Sequence, residues 1–272
     1  MLSNQQLNEI KELQNLCEEY DGIQLKLNWP TLETREEMCE IPYYEDKKLV
    51  AFIAYYKFGN EVEICGMVHP DYRRKGLFTL LFSRLLTMFP EDEPILLNAP
   101  ADSAAAKGWL ESVQATYAFS EMQMKWRPGR LEQLGKEVTL RNAAKGDIPT
   151  MMELDKVCFG IEDAAIKDYE KTTEEAKLKQ DYLIEAEGKA IGKIHLSRLD
   201  GESWITGFAI YPDKQGNGYG KTALIKTVLQ LSADGCEDIR LEVALKNKNA
   251  LRLYEQCGFK AYHTQDYYLF GR

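Results

Sequence analysis

The sequence predicts an α/β (α+β) protein built from two tandem domains, each a mixed, mostly antiparallel sheet flanked by helices. Three observations support this fold class. The chain has 272 residues, a little less than twice the usual domain length. A Pro-Gly break at residues 127–130 divides it, which is typical of a turn or linker between periodic regions. A similar order of strand, turn, helix, strand and helix occurs on both sides of that break.

The repeat places the domain boundaries. Residues 1–126 form the predicted N-terminal domain, residues 127–137 the linker, and residues 138–272 the C-terminal domain. Matching segments lie about 142 to 145 residues apart, each with an apolar strand-like run before a turn and an amphipathic helix after it. The aligned positions are Pro70-Asp71 with Pro212-Asp213, Gly76 with Gly218, Ala105 with Ala250, and Trp109 with Tyr254.

The elements of the second half follow from its turn signals and periodicity. A short strand and a helix are expected over 138–159, with Asp147 as N-cap and Pro149 in the first turn. Three strands are expected over 181–212, because Glu187-Gly188 and Asp200-Gly201 are turn signals. A long helix from about Gly220, a strand over 239–245, a helix over 249–257 and one or two closing strands over 259–270 complete the order.

Composition excludes several classes of protein. The 34 lysines and arginines are outnumbered by 43 aspartates and glutamates, so a duplex nucleic-acid partner is not expected. The longest apolar run, residues 49–56, is too short for a membrane helix, and the N-terminus has no apolar signal core. We therefore expect a cytoplasmic protein with no membrane partner. The six cysteines show no CxxC spacing, so neither a disulfide framework nor a metal site is expected.

The glycine-rich segment 215–222 (QGNGYGKT) is the most informative stretch. Glycines allow a sharp turn that exposes backbone N–H groups, and the following helix adds its unpaired N-terminal donors, so the segment is suited to a phosphate. A P-loop would need glycine where Gln215 stands. A dinucleotide-binding fingerprint can be placed on Gly218, Gly220 and Ala223. Such a loop usually follows the first strand of its fold, however, whereas three predicted strands precede this one. A glycine turn without a ligand is the remaining structural alternative.

A second block follows about 25 residues later. Val243, Asn247, Ala250, Tyr254 and Gly258-Phe259 form the string V-x3-N-x2-A-x3-Y-x3-G-F. With the loop Q-x-x-G-x-G, this block resembles the GNAT superfamily of N-acetyltransferases, and residues 138–154 are similar to that family's first strand and helix. The resemblance covers about residues 138–272, and the first half resembles the family more faintly. It implies an enzyme that moves acetyl from acetyl-CoA, a co-substrate, to a primary amine of a small molecule or peptide.

The resemblance also assigns site residues. Tyr254 would be the general acid that protonates the leaving thiolate. Asn247 would bind the pantetheine arm, cap the helix that follows, or do both. Gly207 is consistent with a β-bulge that would open a slot for the cofactor. The remaining cofactor-binding positions are Phe208, Ala209 and Ile210 on the strand, and Gln215, Gly216, Asn217, Gly218, Tyr219, Gly220 and Lys221 in the loop.

The general base is assigned to Glu242, which lies twelve residues before Tyr254. This spacing is similar to that in the ribosomal-protein alanine N-acetyltransferases, where the matching glutamate acts as base. The alternatives are a solvated strand glutamate at this position, Glu202 as the base, or a water chain with no dedicated base. His195 is interpreted as a half-buried strand histidine rather than a base.

The first half departs from the pattern. Its loop, residues 73–78 (RRKGLF), keeps the central glycine and loses the last one. Trp109 stands where Tyr254 is expected and Asp102 where Asn247 is expected, and indole cannot protonate a thiolate. The N-terminal domain is therefore predicted to be catalytically degenerate, and could bind a cofactor or complete the acceptor pocket. The alternative for the whole chain is a non-catalytic acyl-CoA-binding or sensing protein.

Overall fold

A computed structural model of the chain describes residues 2–58, 61–129, 135–161, 180–199 and 201–271. Part of the expected linker, residues 130–134, and the second predicted turn at Asp200 lie outside the described residues. Within the described ranges, none of the helices combines the length and apolar character needed to cross a bilayer.

Seven α-helices lie in the described ranges. The helix over 148–159 begins directly after Asp147, as expected, but its N-cap carboxylate does not bind the first turn. The Asp147 carboxylate accepts instead from the backbone N–H of Ala144 and from the Arg141 side chain. The helices are α1 (Asn4–Asp21), α2 (Trp29–Thr34), α3 (Leu77–Leu86), α4 (Ala104–Ser112), α5 (Ile148–Phe159), α6 (Tyr219–Ala233) and α7 (Lys248–Gln256).

The strands confirm the expected order of elements. The three strands predicted over 181–212 are present, and the last apolar segment forms one long strand. The strands are β1 (Glu40–Glu45), β2 (Lys48–Phe58), β3 (Glu61–Val68), β4 (Ile95–Pro100), β5 (Thr116–Trp126), β6 (Thr139–Asn142), β7 (Asp181–Ala186), β8 (Lys189–Leu199), β9 (Glu202–Ile210), β10 (Asp238–Ala244) and β11 (Phe259–Phe270).

The chain forms two compact units whose limits differ from the boundaries expected from sequence. The first unit is Met1–Glu121 with His263–Arg272, and the second is Met122–Tyr262. The end of β11 belongs to the first unit because Gln265 to Phe270 pair antiparallel with β4. The apolar periodicity of a strand shows which residues face a core, but not which sheet the strand joins.

The sheet of the first unit is buried on both faces. Its strand order is β1-β2-β3-β4-β11, with β3 and β4 parallel at Val62 to Ile64. Consecutive β2 residues contribute to different cores: Phe52 packs with residues of α1, whereas Ile53 packs with residues of α3. This arrangement explains why residues 49–56 form an unbroken apolar run, because such runs are typical of strands covered on both faces.

The second unit repeats this plan. Its strands follow the order β5-β10-β9-β8-β7-β6, and β9 and β10 are parallel. The main core lies on the side of α6 and α7, where Leu241 and Val243 of β10 pack with Leu224 and Val228 of α6. Each unit is thus a mixed, mostly antiparallel sheet flanked by helices, which confirms the predicted fold class.

Gly192 on β8 provides a test of the close backbone packing in this sheet. A Cβ at this position would overlap the carbonyl oxygen of Ala209, so Gly192→Ala must displace a strand. We expect a loss of about 1–3 kcal/mol in the free energy of unfolding, measured by urea denaturation. Gly146→Ala is the control, since a Cβ there meets no atom within 4 Å. Equal stability of the two variants would contradict this packing.

Candidate active site

The glycine loop forms an array of backbone donors at the start of α6. A short 3-10 turn, Pro212–Lys214, leads from β9 into the loop. Gly216 and Gly218 have φ angles of 73° and 86°, which are strained for any residue with a Cβ. Gly218 is the N-cap of α6 and provides no side chain, so the first N–H groups of the helix face the loop. Such an arrangement suits an anion.

Side chains of the loop also stabilise its conformation. The Gln215 Nε2 atom donates to the Ile210 carbonyl at 2.9 Å. The Asn217 Nδ2 atom donates to the carbonyls of Lys214 and Gln215 at 3.2 and 3.0 Å. Tyr219 is 8% exposed, and its ring packs in a small core and lies under Lys136. These contacts stabilise the conformation of the loop.

A β-bulge interrupts β9 beside this loop. Lys193 of β8 pairs with Ala209, but His195 pairs with Thr206, so β9 contains one extra residue. Gly207 lies in this interval with a φ of 55°, which agrees with the bulge expected there. The parallel pairing of β9 with β10 ends at Ile205 and Leu241. The backbone of Phe208, Ala209 and Ile210 therefore follows a bulge and runs beyond the last paired position of β10.

Tyr254 lies on α7 against the core of the second unit. Its side chain is 8% exposed and its ring lies 6.4 Å from the ring of Phe208 and 6.1 Å from that of Phe259. Burial, with a smaller contribution from Cys257, raises the pKa of Tyr254 to about 12. The phenol is therefore protonated at neutral pH, as a general acid must be.

Glu242 lies on the opposite face of β10. Ile239, Leu241 and Val243 point into the core that contains Tyr254, so the alternation of a strand directs Glu242 to the other side. Glu242 is also the first β10 residue beyond the last pair with β9. The two predicted catalytic side chains thus lie on opposite faces of the sheet near the point where β9 and β10 stop pairing.

The alternative candidates for the base are engaged in other contacts. The two carboxylate oxygens of Glu202 accept from Arg240 at 2.7 Å and from the indole of Trp204 at 3.0 Å. The Nδ1 atom of His195 lies 2.8 Å from Asp181, and the side chain is half-buried, as expected for a strand histidine. Both oxygens of Glu202 are therefore occupied, and its ion pair with Arg240 links β9 to β10.

Asn247 is the N-cap of α7. Its side-chain oxygen accepts from the backbone N–H of Ala250 at 3.1 Å, which confirms the capping half of the prediction. An asparagine has both an acceptor and donors, so the cap uses the oxygen and does not require the side-chain NH2 group. The same residue can therefore cap the helix and donate to a ligand.

The matching loop of the first unit keeps the backbone shape but uses its cations differently. Gly76 caps α3 with a φ of 77°, and Arg74 takes the left-handed conformation with a φ of 62°. Arg73 donates to the Val68 carbonyl at 3.0 Å, as Gln215 does to Ile210, and forms an ion pair with Asp21 at 2.7 Å. Arg73 thus links the loop to the end of β3 and to Asp21.

The described residues of the first unit also differ from the second unit at the matching strand and at the position of Tyr254. The pairing of β2 with β3 is regular from Ala51 to Phe58, so β3 has no counterpart of the bulge at Gly207. Trp109, at the position of Tyr254, packs edge-on against Phe78 and Phe82 and donates to Thr79. These differences support the prediction that the first unit is catalytically degenerate.

The structure also shows contacts that the sequence analysis missed. Gln123 of β5 donates to Glu242 at 2.7 Å, although no motif marks it. Cys17 and Cys158 donate to the carbonyls of Val68 and Ile210, the last residues of matching strands. Cys17 and Cys158 lie about one repeat length apart in the sequence, so the repeat itself indicates that they occupy matching positions.

A cavity of about 420 Å³ opens beside the loop rather than at the catalytic pair. It is bordered by Tyr219 and by charged residues that include Lys136, Glu137 and Glu185. Its lining includes neither Glu242 nor Tyr254, so the catalytic assignment rests on strand geometry and not on this cavity. Over the described residues, no cluster of three or more His, Cys, Asp or Glu side chains is arranged to hold a metal.

Comparison with known proteins identifies the family. The Acetyltransferase (GNAT) family model matches residues 7–111 and 148–259. This chain therefore belongs to the GNAT family, with two copies of its domain, and is an acetyltransferase by family.

Individual relatives and solved structures agree with this assignment. A mycothiol acetyltransferase of Saccharopolyspora erythraea is 25% identical over 226 residues, covering 72% of each chain. An N-alpha-acetyltransferase MAK3 of Arabidopsis thaliana is 28% identical over 95 residues, which are 33% of this chain and 50% of that protein. A GCN5-related N-acetyltransferase from Sphaerobacter thermophilus has a TM-score of 0.78 at 17% identity, covering 96% of this chain and 91% of its own. A tandem GNAT protein from the clavulanic acid biosynthesis pathway has a TM-score of 0.68 at 11% identity, covering 98% and 95%.

The Asn247 cap can be tested by a matched pair of variants. Asn247→Ala removes the oxygen that accepts from Ala250, and we expect a loss of about 1 kcal/mol in the free energy of unfolding. Asn247→Asp keeps an oxygen at the same position and should retain the stability of the parent protein. Urea denaturation of both variants measures the difference. A loss of equal size in both would show that the cap contributes nothing.

Proposed function

We propose that this chain is an acetyl-CoA-dependent N-acetyltransferase that moves an acetyl group to a primary amine by direct attack in its second unit. One observation carries the proposal: Tyr254 and Glu242 lie on opposite faces of the sheet where the β9–β10 pairing ends, beside a loop of backbone donors. In the first unit, tryptophan replaces the tyrosine and the strand has no bulge. We therefore assign the chemistry to the second unit and treat the first unit as catalytically degenerate.

The cofactor is proposed to lie along the second half of β9. The N–H groups of the loop from Gln215 to Lys221 and the start of α6 would hold the pyrophosphate. The backbone of Phe208 to Ile210 would pair with the pantetheine arm as an added strand would. The Asn247 side-chain NH2 group would donate to the same arm while its oxygen caps α7. This arrangement would direct the thioester toward Tyr254.

The proposed chemistry requires three proton transfers. An amine is protonated at neutral pH and attacks only after losing a proton, which Glu242 would accept. The neutral nitrogen would then add to the thioester carbon, and it would lose its second proton to solvent water as the carbon–sulfur bond breaks. Tyr254 would donate its phenolic proton to the departing sulfur and regain one from solvent. Its high pKa keeps this proton in place until negative charge develops on the sulfur.

The acceptor is proposed to be an amine of a small molecule or a peptide. The relatives include a mycothiol acetyltransferase and an N-alpha-acetyltransferase, so both kinds of acceptor occur among proteins similar to this one. A thiol-release assay should therefore use a panel of spermidine, an aminoglycoside, L-lysine and a peptide with a free N-terminus. Tight acetyl-CoA binding in calorimetry with no turnover on any amine would favour an acyl-CoA-binding or sensing role instead.

Tyr254→Phe tests the general acid. The variant keeps the ring that packs against Phe208 and Phe259 but removes the proton donor, so turnover should fall by about 10²-fold or more. The Kd for acetyl-CoA, measured by calorimetry, should stay within about twofold, because the phenol is assigned to the leaving group and not to affinity. Unchanged turnover would remove Tyr254 from the role of acid.

Glu242→Gln and Glu202→Gln together test the base. Both strand glutamates lose their charge, but only Glu242 lies beyond the paired part of β9 and β10. We expect the Glu242 variant to lose about 10²-fold or more in kcat and the Glu202 variant to keep kcat while losing stability. The opposite result would assign the base to Glu202. A full kcat in both variants would favour a water chain.

A further inference from the structure

One hydrogen-bond donor to Glu242 comes from an unexpected part of the chain. Gln123 lies on β5 and its Nε2 atom donates to Glu242 Oε1 at 2.7 Å. It precedes the 127–137 segment in sequence and lies outside both ranges that match the GNAT family. The compact second unit nevertheless includes it, because that unit begins at Met122.

The end of β5 is fixed within the second unit. Met124 and Trp126 are buried in the core that contains Tyr254. The indole of Trp126 donates to the Cys257 carbonyl at 3.1 Å, and Lys125 pairs with Asp238 of β10 at 2.6 Å. Gln123 alternates with these core residues, so it shares the face of the sheet that carries Glu242. Its position is therefore set by the packing on both sides of it.

Gln123 is poorly explained as a residue that stabilises the fold. It is 5% exposed, and its Oε1 atom is buried without a hydrogen-bond partner. A buried amide whose NH2 group donates but whose oxygen accepts no hydrogen bond carries a desolvation penalty. An apolar side chain of the same size would avoid that penalty. Its contact with a carboxylate at the catalytic position gives it a different role.

We propose that Gln123 is a positioning residue that orients the Glu242 carboxylate toward the acceptor nitrogen. A carboxylate turns freely about its last bond, and a short hydrogen bond from a fixed amide restricts that rotation. The segment before the linker thus completes the catalytic site of the second unit. The proposal rests on the function proposed above.

Gln123→Met tests this proposal. Methionine has nearly the same shape but no donor, so kcat should fall by about 10-fold to 100-fold as the carboxylate loses its orientation. The KM for acetyl-CoA should stay within about twofold. The Tm should be equal or higher, because the unpaired buried oxygen is removed. A purely structural role predicts the reverse, a lower Tm with kcat retained.

The control and the double variant complete the experiment. Lys125→Met places the same residue on the same strand and face, and should lower the Tm while keeping kcat. Gln123→Met in a Glu242→Gln background should cause no further fall in kcat, since the base that it orients is absent. A full second fall in that background, or normal kcat in Gln123→Met alone, would overturn the proposal and leave the proposed function standing. Absence of turnover in the parent protein on every amine would instead overturn the proposed function, and this proposal with it.

Discussion

The site depends on one backbone constraint, the extra residue that Gly207 accommodates in β9. The bulge shifts the register of β9 against β8, and only the first part of β9 pairs with β10. Every proposed role refers to the point where that pairing ends. Glu242 is the first β10 residue beyond it, Phe208 to Ile210 are the backbone offered to the cofactor, and the loop follows directly. Only a glycine adopts the φ of 55° found at this bulge without strain.

The two copies share a loop of the same conformation but differ at the positions to which we assign the chemistry. Both loops contain a left-handed glycine before a helix, and in both a side chain from the loop donates to the last carbonyl of the preceding strand. The first copy forms that bond with Arg73, whose charge is paired with Asp21. The first copy also lacks the bulge and has Trp109 at the position of the proposed acid. The shape of the loop is thus a property of the fold, whereas the chemistry depends on a few positions.

The sequence predicted the parts of the structure that are determined locally. Turn chemistry and periodicity within short segments predict the glycine loop and the three strands before it. They also predict the helix capped by Asn247 and the spacing from Glu242 to Tyr254. The pairing of β11 with β4 and the contact of Gln123 with Glu242 could not be predicted in this way. Both depend on which strands become neighbours, and alternation along a strand is the same whichever sheet it joins. Half of β11 pairs with β4 in the first unit, and β5 lies beside β10 in the second.

A crystal structure with acetyl-CoA tests most directly whether the second unit binds the acetyl donor and performs the transfer. We predict density for the pyrophosphate at the loop over 215–221 and for the acetyl group where β9 and β10 stop pairing, within reach of Glu242 and Tyr254. Acetyl-CoA held only at the loop over 73–78 would contradict the account, and so would an acetyl carbon remote from both side chains.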